Sequence, residues 1–152
     1  MSATGDYFAI EQPLVDRIKA ILPELQYVLT TEDMAAAEDW RKAPKAAHVI
    51  YLGDEVGQGA ALQGGGGVQL TSQLWMVVLQ VKHAGTIPSG AGARRMVGPL
   101  IWTLLQGLTG HQLLPTWAPL RRASGSYKVA YRDSFGYYPF VFRTNNLIRG
   151  KA

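Results

Sequence analysis

The chain has no cysteine in its 152 residues. That excludes disulfide staples, thiol catalysis, cysteine-built zinc sites and iron–sulfur chemistry. Histidine is scarce: His48, His83 and His111 stand far apart, on different predicted elements, with no metal spacing. Long apolar runs are missing too. The longest is "LWMVVL", Leu74 to Leu79, against the ~20 residues a membrane helix needs. The opening "MSATGDYFAI" has neither a basic stretch nor a long apolar one, so it is no secretion signal. These absences point to a soluble, intracellular chain with no membrane partner. A chain this long forms one domain with a sizeable core.

Acidic residues are missing from residue 56 to residue 132. Residues 1–55 carry ten acids and five basic side chains, whereas residues 56–152 carry ten basic side chains and a single acid, Asp133. A field of one sign over that much chain faces something of opposite sign. Nucleic acid fits, and so does the acidic part of a neighbouring copy.

What is present sets out an α+β domain. In "EQPLVDRIKAILPEL", Leu14, Val15, Ile18, Ile21 and Leu22 form a helical stripe that Pro23 ends. "LQYVLT" is a short strand. "TTEDMAAAEDWRKAP" is a second helix, capped by Thr30 or Thr31 and stopped by Pro44. "AAHVIYLGDE" is a strand with a turn after Gly53. "VQLTSQLWMVVLQVKH" is apolar on both faces, as a central strand covered on both sides would be. "RRMVGPLIWTLLQGLTG" has helical spacing. It starts or bends at Gly98-Pro99 and ends at Gly107 or Gly110. "SYKVAY" alternates, with Tyr127, Val129 and Tyr131 on one side, and "RDSFG" makes a turn. "YYPFVFRT" puts Tyr138, Phe140 and Phe142 on one face, and Pro139 favours an edge or a bulge there. The expected fold is a single α+β domain over residues 1–152. Its sheet is mixed or mostly antiparallel, with helices on at least one face and flexible loops near 55–67 and 84–93.

The chain offers little for catalysis. "GAALQGGGG" precedes a strand, and no lysine follows before Lys82, so it fits neither phosphate-loop pattern. Residues 55–67 hold six glycines: Gly57, Gly59, Gly64, Gly65, Gly66 and Gly67. Such a loop costs much entropy to order, which suits a docking loop that a partner closes over. Glu32–Asp33 and Glu38–Asp39 belong to the ends of a short exposed helix. Asp54–Glu55 beside the glycine loop suits an inter-subunit salt bridge. No serine sits in a nucleophile elbow. The basic pairs Arg94–Arg95 and Arg121–Arg122, with Tyr127, Lys128 and Tyr131, fit protein contact or the lining of a DNA channel without sequence reading. No catalytic residue, metal ligand or cofactor site emerges.

Several segments together resemble the tail terminator family of long-tailed bacteriophages. They are "PLVDRIKAILPEL", "AAHVIYLGDE", "SQLWMVVLQVKH", "RRMVGPLIWTLLQGLTG" and the aromatic ending "SYKVAYRDSFGYYPFVF". The resemblance spans about Leu14 to Phe142. It implies a non-enzymatic virion protein, assembled in the host cytoplasm. Such a protein would form a homo-oligomeric, hexameric ring on the head-proximal end of the tail tube. It would stop tube polymerisation and provide the surface for head–tail joining. The implied partners are the tail tube protein, the sheath and neck proteins, and DNA in the lumen without sequence preference. Other readings are a different neck or baseplate ring, or a non-specific nucleic-acid-binding protein.

Overall fold

Leu14, Val15 and Ile18 decide where the first helix lies. They are buried on one stripe of α1 (Glu11–Ile21), whose other faces carry Gln12, Asp16 and Lys19. The computed structural model describes residues 5–36, 39–57, 67–82 and 91–150, with side chains of the last stretch from residue 94. After α1 come β1 (Tyr27–Thr30), α2 (Thr31–Ala36), a 3-10 turn (Asp39–Lys42), β2 (Lys45–Val56) and β3 (Val68–Lys82). Then follow α3 (Ala91–Leu108), β4 (Arg121–Ala123), β5 (Ala130–Arg132) and β6 (Phe135–Arg149).

The strands form one mixed sheet in the order β1-β2-β3-β6-β4, with β5 also pairing on β6. Only β1 and β2 run parallel; the other pairs are antiparallel. β3 is central, as its apolar length predicts. Odd-numbered residues of β3, from Trp75 to Val81, face α1 and α3, together with Ala47, Val49, Tyr138 and Phe142. Trp75 and Phe142 are fully buried there, each contributing roughly 1.5–3 kcal/mol or more through burial. The indole N–H of Trp75 donates to Gln73 Oε1 at 3.0 Å, so this buried polar group is satisfied.

The opposite face is covered differently from the expectation of a strand sheathed on both sides. Residues of α2 and the 3-10 turn close over His48 and Gln80, while Leu74 and Val78 stay half-buried. The expected single helix over 31–43 is two short pieces instead. α2 buries no residue, so no packing stabilises its extension. Thr30 caps it reciprocally with Asp33. Thr30 Oγ1 accepts from Asp33 N–H at 3.3 Å, and Asp33 Oδ2 accepts from Thr30 N–H at 3.0 Å.

Three further expectations change. β2 does not turn after Gly53 but runs on to Val56 through a bulge between Tyr51 and Gly53. Gly53 takes φ 119°, which the bulged backbone needs and a side chain resists. α3 does not start at Gly98-Pro99 but runs through them, with Pro99 on its exposed side, and Gly110 lies just past its end. β6 is interior, yet Pro139 lies opposite the gap between β4, which ends on Val141, and β5, which begins on Tyr137. A residue without an N–H is tolerated where the neighbouring ladder is interrupted. The Asp133-Ser134 turn between β5 and β6 has positive φ at both residues, as a two-residue hairpin of right-handed twist requires.

Candidate assembly surfaces

The two edges of the sheet carry opposite charge. β1 is one edge. It is preceded by Glu24 and followed by Glu32 and Asp33 on α2, with Asp6 and Glu11 near the start of α1. These acids crowd each other. Burial, then the fields of Asp33, Glu32 and Asp6, raise the Glu11 carboxyl above its ordinary range. β4 and β5 form the other edge, with exposed Arg121, Arg122, Lys128 and Arg132 and no acid among residues 121–132. The guanidinium of Arg122 stands 5.1 Å over the Phe140 ring.

Cross-strand register fixes the relative height of these groups. Thr30 pairs with Val49, Val49 with Val77, and Val77 with Phe140. One and two steps further on, Ile50–Met76–Val141 reaches Ala123, and Tyr51–Trp75–Phe142 reaches Arg122. The start of α2 therefore lies at the height of β4, across the full width of the sheet.

The basic edge also holds a concavity of about 490 Å³ between residues 122–127 and Pro139, Phe140 and Val141. Tyr127 lines it and is 49% exposed, and Val129, two residues on, is 46% exposed. Their alternation predicts a strand face. The ladder instead begins only at Ala130, so this face points outward. Tyr131 is tied in by the Tyr138 hydroxyl, which donates to it at 3.4 Å. That bond, with Arg94 nearby, draws the Tyr131 hydroxyl below its usual range, while burial and the same bond push Tyr138 up. Arg94 thus reaches the β5 side of the sheet, and Arg95 is exposed on the first turns of α3.

Asp54 and Glu55, expected at a subunit contact, both have partners in their own chain. Asp54 accepts the Tyr7 hydroxyl, and burial followed by this bond keeps that phenol protonated far into alkali. Glu55 accepts from Arg143 at 2.7 Å, the one ion pair among the described residues. Gly57 and Gly67 close the adjoining ends of β2 and β3, where Gly57 N–H donates to Leu70 O at 2.7 Å. Gly59, Gly64, Gly65 and Gly66, and most of the expected 84–93 loop, lie outside the described residues. Ala91–Ala93 already belong to α3. Beyond Glu55, the sheet ends in exposed Val56, Leu147 and Ile148.

The described residues include no group of three His, Asp or Glu side chains placed to hold a metal, and no helix long and apolar enough to cross a membrane. The described residues thus form an open mixed sheet with charged edges, with α1 and α3 on one face and α2 and the 3-10 turn over part of the other. A model of the phage tail terminator protein family matches residues 3–152. The chain belongs to that family, and its place is the tail of the virion. No curated protein matches it. The acidic group at β1 went unread in the sequence because Glu32 and Asp33 suffice as helix-capping residues. Nothing in one sequence shows that Glu11 lies beside them.

Proposed function

We propose that this chain caps the head-proximal end of the phage tail tube as a closed ring of six copies, halts tube growth and offers the surface on which the head is joined. The family match over nearly the whole chain carries the reading. The opposed charges of the two sheet edges support it, since a head-to-tail contact between unlike surfaces closes into a ring when the rotation allows. Gly57 and Gly67, at the ends of β2 and β3, lie at the end of the sheet that carries exposed Val56, Leu147 and Ile148, and this end meets the tube or the neck. Arg94, Arg95, Arg121 and Arg122 serve contact between proteins or line the DNA path without reading bases. The partners are the tube protein and, next to it, sheath and neck proteins.

The test is a virus that lacks the chain, viewed by electron microscopy. Abnormally long or uncapped tails beside filled heads are expected. Tails of normal length that are capped but lack a baseplate would overturn the proposal.

A further inference from the structure

Resting on that reading, we infer that the β1–α2 edge of one copy seats against the β4–β5 edge of the next, with Glu32 facing Arg121 and Arg122 and with Tyr27 on the Tyr127–Val129 stripe.

Four observations converge on this pairing. First, both surfaces are open sheet edges. Among the described residues no strand pairs with the outer side of β1, of β4 or of β5. An edge strand carries a row of unpaired backbone groups and is a natural contact for another chain. Second, the charges are complementary and unspent. The sole ion pair among the described residues is Arg143–Glu55, so neither Glu32 nor Arg121 or Arg122 has an ionic partner among them. On the acidic side the crowding of Asp6, Glu11, Glu32 and Asp33 works against the isolated copy, and a cationic neighbour relieves it.

Third, the register matches. The start of α2 and β4 lie at one height along the strands, as the ladder through Val49, Val77 and Phe140 establishes. Tyr27 pairs with Ala46, which leads through Gln80 and Tyr137 to Ala130. Acids and arginines, and Tyr27 and the Tyr127–Val129 stripe, therefore come into line in the same side-by-side placement. Fourth, the apolar parts are in the right place. Tyr27 is exposed on one edge, and on the other Tyr127 lines an open concavity, with exposed Val129 two residues on. Aromatic anchors entering pockets within a charged rim are the usual composition of a specific contact. The two surfaces differ, so the contact is heterologous and each copy has one of each to offer.

The chain's lack of cysteine makes a clean test by disulfide trapping. The variants are Glu32→Cys, Arg121→Cys and the double variant, each oxidised mildly at high concentration, alone and with isolated tail tubes. The double variant should give a ladder of covalent oligomers. Each single variant should give no disulfide dimer by itself, and their mixture should give dimers of twice 16.6 kDa and nothing larger. Dimers from either single variant alone would show a two-fold contact and overturn the pairing. So would the absence of a ladder in both settings. Protection of Arg121→Cys from a thiol reagent by a single-stranded oligonucleotide, without a ladder, would assign the basic edge to nucleic acid instead. Light-scattering mass of the unaltered protein on tubes separates the two claims. A multimer without the ladder sinks only the edge pairing, and a persistent monomer sinks the ring as well.

Discussion

Replacing Gln80 by leucine tests whether the covering of the sheet's second face is held by polar contacts. Gln80 is fully buried near the C-terminal end of β3. Its amide N–H groups donate to Trp40 O at 3.0 Å and Ala43 O at 3.1 Å, and its Oε1 lies 2.9 Å from His48 Nε2. With the imidazole neutral, Nε2–H is the donor to Gln80, which leaves Nδ1 facing the Met34 sulfur. Leucine has similar bulk but no polar atom, so two carbonyls and one imidazole N–H each lose a hydrogen bond, although Trp40 O keeps the one it accepts from Ala43 N–H at 3.1 Å. An orphaned buried polar group costs about 1–3 kcal/mol. The three are not additive, because the 3-10 turn can shift to admit water, and the added apolar burial offsets part of the cost. We expect a net loss of about 2–4 kcal/mol, a large share of the ~5–15 kcal/mol typical of a domain. Equilibrium urea unfolding, followed by tryptophan fluorescence, measures it through the midpoint at constant slope. Gln80→Glu keeps the acceptor for His48 but turns a carboxyl oxygen toward the Trp40 and Ala43 carbonyls, and should lose at least as much. A loss below about 0.5 kcal/mol for Gln80→Leu would refute the reasoning, because it would show those carbonyls solvated without glutamine.

Burial holds the His48 imidazole below its ordinary range, so the folded state takes up a proton less readily than the unfolded chain. Its contribution is therefore intact above pH 6.5 and declines as pH falls below that value, until the depressed folded pKa is reached. His111 shifts the same way through burial and Arg17, so His48→Gln should flatten, but not abolish, the fall in urea midpoint between pH 7.5 and 5.5. Gly107→Ala should destabilise by about 1–2 kcal/mol, despite a helix-propensity gain of up to ~1 kcal/mol, because the new Cβ would lie 2.5 Å from Ile21 Cδ1 and 2.9 Å from Cγ2. In an Ile21→Ala background the same change should stabilise, and a double-mutant cycle without that reversal would disprove the close approach of α1 and α3. Arg143→Met should change stability by less than about 1 kcal/mol, since the Glu55 pair is solvent-accessible, with side chains 42% and 57% exposed, and a thermal or urea midpoint checks this.

Much of the fold is legible in single segments. The Leu14–Ile18 stripe names the inward face of α1, and the Tyr138–Phe142 alternation names that of β6. Both depend on periodicity within one element. What stays hidden depends on partners. Gly53 has the look of a stop, because a bulge and a turn use the same residue. "SYKVAY" has a good strand pattern, but pairing fails before Ala130, leaving its alternating face in solvent. The unbroken look of the second helix comes from alanines of high propensity, which cannot extend a helix that buries nothing. On the assembly surfaces, the charge split of the chain is plain from composition. Its sorting onto opposite edges follows from strand order, which no local pattern records.

The longest ladder of the sheet joins β3 to β6 along their whole length, with Val68 opposite Arg149 and Lys82 opposite Phe135. Everything between them, α3 included, must be synthesised before this zipper can close. A nascent chain that has released "LWMVVL" therefore carries its most apolar strand without its second neighbour for the time needed to make residues 83–149. Non-local pairing of this kind slows folding and leaves strand edges open to aggregation. Ring assembly must then wait on translation. The two charged edges differ in their timing: the acidic edge is made early and the basic edge late, so an unfinished copy can present the first without the second. On the proposed edge pairing, incomplete chains would thereby be kept from joining head to tail with one another.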